Sequence, residues 1–121
     1  MNIVKNNKDF NILVNDAIVN LQRHDYMNAY QSILKAVGID PNRPEPQNLL
    51  GIMYEFKGDS VLARKHYRMA YVLDPIYKPA TNNLERVSTL FLNKVIPVDY
   101  GEIVILDNIP GDMLPTDNLS N

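Results

Sequence analysis

Few residues in this chain combine the types and spacing that catalysis or metal binding requires. The two histidines, His24 and His66, fall in different predicted helical pairs, the chain has no cysteine, and no His-Glu-x-x-His pattern occurs. The five glycines are scattered instead of forming a phosphate-binding loop. No Ser/His/Asp arrangement can be assembled, because the relevant residues are spread over predicted surface helices. We therefore expect no metal, no cofactor and no enzymatic activity, which leaves recognition.

Charge and hydropathy narrow the class of partner. The chain of 121 residues has 12 basic and 14 acidic residues, and all five acidic residues of 95–121 lie in a stretch without a base. The basic cluster of Arg64, Lys65 and Arg68 falls on the outer face of a predicted helix, so we expect no nucleic-acid partner. The N-terminus lacks the apolar core of a signal peptide, and no apolar run approaches the ~20 residues of a membrane span. We expect a cytoplasmic protein without membrane association.

Apolar residues recur at three- and four-residue steps in five stretches, which predicts five helices joined by short links. Asp25 is expected to cap the second helix, and Asp59 or Ser60 the fourth. Gly38 follows the last periodic residue of the second helix, and Gly58 ends the third. The predicted helices cover 8–23, 26–37, about 44–57, about 60–73 and about 79–94.

Two stretches of the sequence repeat at a period of 34 residues. The segment "AYQSILKAVGIDP" from Ala29 aligns with "ARKHYRMAYVLDP" from Ala63, so that small residues and a closing Asp-Pro recur in one register. This period and pattern resemble the tetratricopeptide repeat (TPR) family. The resemblance covers about 8–94 and assigns structural repeat positions to Ala29, Ala36, Pro41, Gly51, Tyr54, Ala63, Tyr67, Ala70 and Pro75.

The resemblance implies an all-α fold, an antiparallel helix-hairpin stack of the TPR-like α-α superhelix type. We expect a helical repeat domain over 1–94, with about two and a half repeats, and a C-terminal tail over 95–121. Small residues at the repeat positions would let helix axes approach within roughly 8 to 10 Å. Because about three repeats are usually needed for a stable stack, the tail, a second copy or a partner is expected to supply the missing buried area.

In the TPR family the first helix of each pair lines a concave groove that holds a segment of a partner. Asn48 and Asn82 are expected to bond the backbone of an extended ligand there, and apolar residues to anchor it. The spacing of Val14, Ile18 and Ile52 is equally that of core residues, and the sequence leaves this alternative open. The predicted groove residues are Asn11, Val14, Ile18, Leu21, Asn48, Ile52, Glu55, Phe56, Asn82 and Arg86.

The C-terminal tail has a different sequence pattern from the predicted helices. "EIVILD" has strong β propensity, which predicts an extended strand within 95–107, and 110–121 is predicted to be disordered. The strand could pack on its own helices or pair with another chain. The leading functional prediction is a non-enzymatic protein-protein interaction module, a TPR adaptor or chaperone-like protein, that binds a protein or peptide partner in the groove. The alternative is a structural or assembly protein that self-associates through the tail, giving a possible homodimer.

Overall fold

The computed structural model describes residues 3–88 and 96–102 of the chain. The described part is all-helical, and its five helices form a stack of helix hairpins. α1 packs mainly on α2, and α3 mainly on α4, which gives two hairpins followed by α5. The helices are α1 (Ile3–Gln22), α2 (Tyr26–Ile39), α3 (Pro44–Phe56), α4 (Ser60–Leu73) and α5 (Lys78–Ser88).

The helix bounds agree with the sequence prediction except at a few ends. α1 begins at Ile3, five positions before the predicted start, and α2 continues through Gly38 to Ile39. Gly38 is therefore helical and not the residue that ends the helix. The cap of α4 is Asp59 and not Ser60. The predicted helix end at 89–94, the strand residues 95 and 103–107, and the tail end 110–121 lie outside the described residues.

The sequence repeat corresponds to a structural repeat. α2 and α4 begin and end 34 positions apart. Asp25 and Asp59 each accept a hydrogen bond from the backbone N–H three residues on, at 3.3 and 3.0 Å, which satisfies an otherwise unpaired donor at the helix start. Asp40 and Asp74 each follow the last residue of the helix and accept from the backbone N–H two residues on, at 3.0 and 3.1 Å. Both α2 and α4 are thus preceded by one aspartate and followed by another, at equivalent repeat positions.

The core contains the predicted small residues at the places where helices approach. Gly51 lies inside α3 against the ring of Tyr67 of α4, and a Cβ at Gly51 would lie 2.5 Å from the Tyr67 Cδ1 atom. No side chain fits there without a shift of the neighbouring helix or ring. The alanines at the other repeat positions are fully buried as well: Ala29, Ala36, Ala63 and Ala70. Tyr54 is half-buried and stacks on His66, whereas Pro41 and Pro75 lie exposed in the links between helices.

The inner layer of the stack consists of α1, α3 and α5. α1 contacts α3 and α3 contacts α5, and α2 and α4 do not contact each other among these five helices. The described part of the tail, residues 96–102, forms neither helix nor strand. It lies against α3 and α5, and its Val98 and Tyr100 pack on the hydrophobic core. The tail therefore occupies the face on which the groove was predicted.

Candidate functional site

The tail is held by side-chain amides that bind its backbone. Asn83 of α5 donates to the carbonyl oxygen of Asp99 at 2.8 Å and accepts from the Asp99 N–H at 2.9 Å. Asn48 of α3 donates to the same carbonyl at 3.1 Å. One asparagine side chain thus pairs with both backbone groups of a single residue, as a neighbouring β-strand would. We call the groove residues that hold the tail the asparagine clasp: Asn48, Asn82, Asn83 and Arg86.

The side chain of Asp99 is bound as completely as its backbone. Asn82 donates to Asp99 Oδ2 at 2.9 Å, and the backbone N–H of Gly101 donates to Oδ1 at 3.0 Å. The second bond closes a turn of the Asx type at the end of the tail segment. Gly101 has a φ of 84°, in the left-handed region that favours glycine, and it lies against the hydroxyl of Tyr77.

Arg86 connects the clasp to the core of the second hairpin. Its Nη1 donates to the carbonyl of Pro97 at 3.0 Å and to Asn83 Oδ1 at 2.8 Å, and its Nε donates to Glu55 Oε2 at 3.1 Å. Nη2 of Arg86 and the hydroxyl of Tyr67 both donate to Glu55 Oε1, the latter at 2.7 Å. Burial of the phenol and its bond to the carboxylate of Glu55 raise the pKa of Tyr67. Contacts with Glu55 therefore orient the Arg86 side chain in addition to its bond with the tail.

The clasp is set in a fully satisfied polar network. Asn83 donates to Asn48 Oδ1 at 2.8 Å, and both side chains are fully buried. Within residues 3–88 and 96–102, every buried side-chain nitrogen and oxygen has a hydrogen-bond partner. Such a network orients its members strongly, because each lost bond would leave a buried group unpaired at a cost of about 1–3 kcal/mol.

A pocket of about 560 Å³ opens between the tail and α1. Phe10, Asn11 and Val14 of α1 form one wall, and Tyr77 and the tail segment from Asp99 onwards contribute to the others. The ring of Tyr100, which also lines this pocket, lies 6.5 Å from that of Phe56 in an edge-on arrangement. The tail thus fills part of the groove and leaves free space beside it.

The structure brings together most of the polar residues that the sequence assigned to the groove. Asn48, Asn82 and Arg86 contact the tail, Phe56 packs near Tyr100, and Asn11 lines the pocket. Glu55 accepts hydrogen bonds from Arg86 and Tyr67, and it thereby holds Arg86 in place.

The apolar part of the predicted groove is different. Ile18, Leu21 and Ile52 are fully buried in the core cluster, and Val14 is almost fully buried at the wall of the pocket. The structure therefore supports the alternative that the sequence left open, in which Val14, Ile18 and Ile52 are core residues, and Leu21 is buried with them.

Three residues of the site were not among the groove residues predicted from the sequence. Asn83 carries the largest share of the contacts, but the repeat register pairs Asn48 with Asn82 and draws attention away from it. Asp99 and Tyr100 lie in the tail, which was predicted to pack without a stated partner surface. A second asparagine directly after Asn82, together with an Asp-x-Gly turn sequence in the tail, was the available signal.

His66 of α4 is a half-buried titratable group outside the clasp. Its Nδ1 lies 2.9 Å from Gln47 Oε1, and the ring stacks on Tyr54. Burial lowers the pKa of His66 below 6.5, and the charge of Lys65 lowers it further.

This pKa shift predicts a loss of stability in acid. Because the folded pKa of His66 lies below the unfolded value, the unfolded chain binds a proton first as the pH falls. The stabilisation from neutral His66 is complete above about pH 6.5 and decreases as the pH falls through the folded pKa. We expect His66→Gln to show a smaller decrease in the free energy of unfolding than the wild type between about pH 7 and about pH 5, measured by urea denaturation. Equal decreases in the two proteins would contradict this assignment.

The described part of the chain contains no group of three His, Cys, Asp or Glu residues placed to hold a metal ion. No helix in that part is long and apolar enough to cross a membrane. No protein-family model matches the sequence, and neither a curated protein nor a solved structure is significantly similar to the chain. What the site can do must therefore be argued from its geometry.

Proposed function

We propose that this chain is a non-enzymatic protein-interaction module of the TPR-like kind, which binds a non-helical segment of a partner protein in the groove formed by α1, α3 and α5. The observation that carries the proposal is the pairing of the Asn83 side chain with both the N–H and the C=O of Asp99. Contacts of this kind give affinity for a peptide backbone, because every peptide offers the same two groups. The TPR-like repeat pattern supports the proposal, since it places such a groove on the first helices of successive pairs.

The proposal is tested by selecting random linear peptides, displayed on phage, on the immobilised full chain. Selected peptides are then synthesised, and their affinity is measured for the wild type, Asn83→Ala and Asn82→Ala. All of the proteins compared carry Asp99→Ala, which weakens the tail, because Asn83 holds the tail as well as the ligand. In this background we expect at least about tenfold weaker binding to Asn83→Ala, because two hydrogen bonds to the ligand backbone are lost. Asn82→Ala removes a half-buried side chain and provides a variant whose folding is less at risk.

Asn42→Ala is the matched control for these variants. Asn42 is exposed, and in the link after α2 its backbone N–H donates to Asp40 Oδ1, a bond that alanine retains. It should bind selected peptides like the wild type. Peptides that bind all four proteins equally, or a selection that yields no binding peptide, would contradict the proposed function.

A further inference from the structure

Asp99 uses every polar group that it has. Its N–H, its C=O and both of its carboxylate oxygens each have a hydrogen-bond partner, and three of these four groups are bound by the clasp. Alanine at this position would leave Asn82 without its acceptor. Asparagine would direct a second amide donor at the amide of Asn82. The site is therefore complementary to aspartate and not merely to an extended backbone.

Gly101 is fixed by two independent constraints. Its φ of 84° is costly for a residue with a side chain, and a Cβ would lie 2.6 Å from the Tyr77 hydroxyl oxygen. Its N–H is needed by Asp99 Oδ1. The position two residues after the aspartate therefore requires glycine.

The residues on either side of Asp99 require apolar bulk. Val98 and Tyr100 are half-buried against the core cluster, and Tyr100 lies beside Phe56. Burying such side chains contributes to affinity in proportion to the apolar area removed from water. The sequence Val98-Asp99-Tyr100-Gly101 thus meets one requirement of the groove at each position.

We propose that the groove selects partner segments of the form apolar-Asp-aromatic-Gly, and that the tail segment 97–101 is a built-in competitor for the same site. This inference rests on the function proposed above and names its ligand class. A tethered segment acts at an effective concentration on the order of millimolar. The tail consequently lowers the apparent affinity for the partner in proportion to the fraction of molecules that are closed.

The balance of burial favours exchange of the tail over a permanent role in the core. No residue of 96–102 is fully buried, and Pro97 and Glu102 are exposed. On the groove side, Asn48 and Asn83 are fully buried with the tail in place, and both amides donate to its backbone. A second segment with the same four features would satisfy these groups, and the adjoining pocket has room for larger flanking side chains.

The test uses a fluorescent peptide with the sequence Ile-Pro-Val-Asp-Tyr-Gly-Glu and the full chain carrying Asp99→Ala and Gly101→Val. These two substitutions weaken the tail and leave all four clasp residues unchanged. By fluorescence anisotropy, the released variant should bind the peptide at least about tenfold more tightly than the wild type does, because the competitor is removed. Adding Asn83→Ala to the released variant should abolish this gain, and Glu102→Ala alone should behave like the wild type.

Specificity is measured with two altered peptides, one with alanine for the aspartate and one with valine for the glycine. Both should bind the released variant at least about tenfold more weakly than the parent peptide. Equal binding of the altered peptides, or no binding of the parent peptide, would overturn the inference. Light scattering that shows full-length dimers dissociating when the tail is released would also overturn it, because the occupant would then be a second copy. If the parent peptide fails but peptides selected from the random library still bind through Asn83, the ligand class is wrong and the proposed function stands.

Discussion

Replacing Gly51 with alanine is expected to lower the free energy of unfolding by about 1–3 kcal/mol, although alanine is the better helix former by about 1 kcal/mol. The added Cβ would overlap the ring of Tyr67, and that ring has little freedom to move. It is fully buried, and its hydroxyl is held by Glu55, which is in turn held by Arg86. The steric cost therefore outweighs the gain in helix propensity.

Gly38→Ala is the matched control, and urea denaturation followed by circular dichroism is the measurement. Gly38 is also helical, but a Cβ there would meet nothing within 4 Å. We expect this variant to be as stable as the wild type or more stable, by up to about 1 kcal/mol. A Gly51→Ala protein as stable as Gly38→Ala would show that α3 and α4 are not as close as the structure has them.

Asn83→Ala is expected to release the tail. The substitution removes the donor and the acceptor for Asp99, the donor for Asn48 Oδ1 and an acceptor for Arg86. Leaving such groups unpaired in a buried site costs about 1–3 kcal/mol, and more than one group is affected. We expect the free energy of tail opening to fall by at least about 2 kcal/mol, measured by hydrogen exchange at the backbone amides of Asp99 and Gly101.

Asn82→Ala serves as the graded comparison for this experiment. Asn82 is half-buried and its side chain donates to the carboxylate of Asp99, not to the tail backbone as Asn83 does, so the exchange of the same two amides should accelerate less. Amides in the middle of α1 should exchange at the wild-type rate in both variants, because α1 packs mainly on α2. Equal protection of Asp99 in the wild type and in Asn83→Ala would mean that the clasp does not hold the tail.

The sequence was sufficient for the helices because their signals are local. The apolar period, the aspartate caps and the glycine at Gly51 each depend on residues a few positions apart or on a repeat of 34. The core assignment of Tyr67 and the four alanines followed from the same pattern and is confirmed by their burial.

The site was predicted only in part, because its geometry depends on a contact between distant segments. The face of the inner helices follows from the repeat, which is why Asn48, Asn82 and Arg86 were found. The repeat cannot show that the tail covers this face, nor that helix phase directs Asn83 inwards beside Asn48. Ile18 and Ile52 belong to the buried cluster against which Val98 and Tyr100 of the tail pack.

The sequence distance between Asn48 and Asp99, 51 positions, has a consequence for the order of folding. The helix hairpins close contacts between neighbouring elements, whose loop-closure entropy is small, whereas the tail must return across α3 after α4 and α5 are in place. We infer that the hairpins form early and that the tail docks late. Every molecule would then pass through a stage in which the inner helices are assembled and the asparagines face water. A ligand present during synthesis would therefore reach the groove before the tail of the same chain docks there.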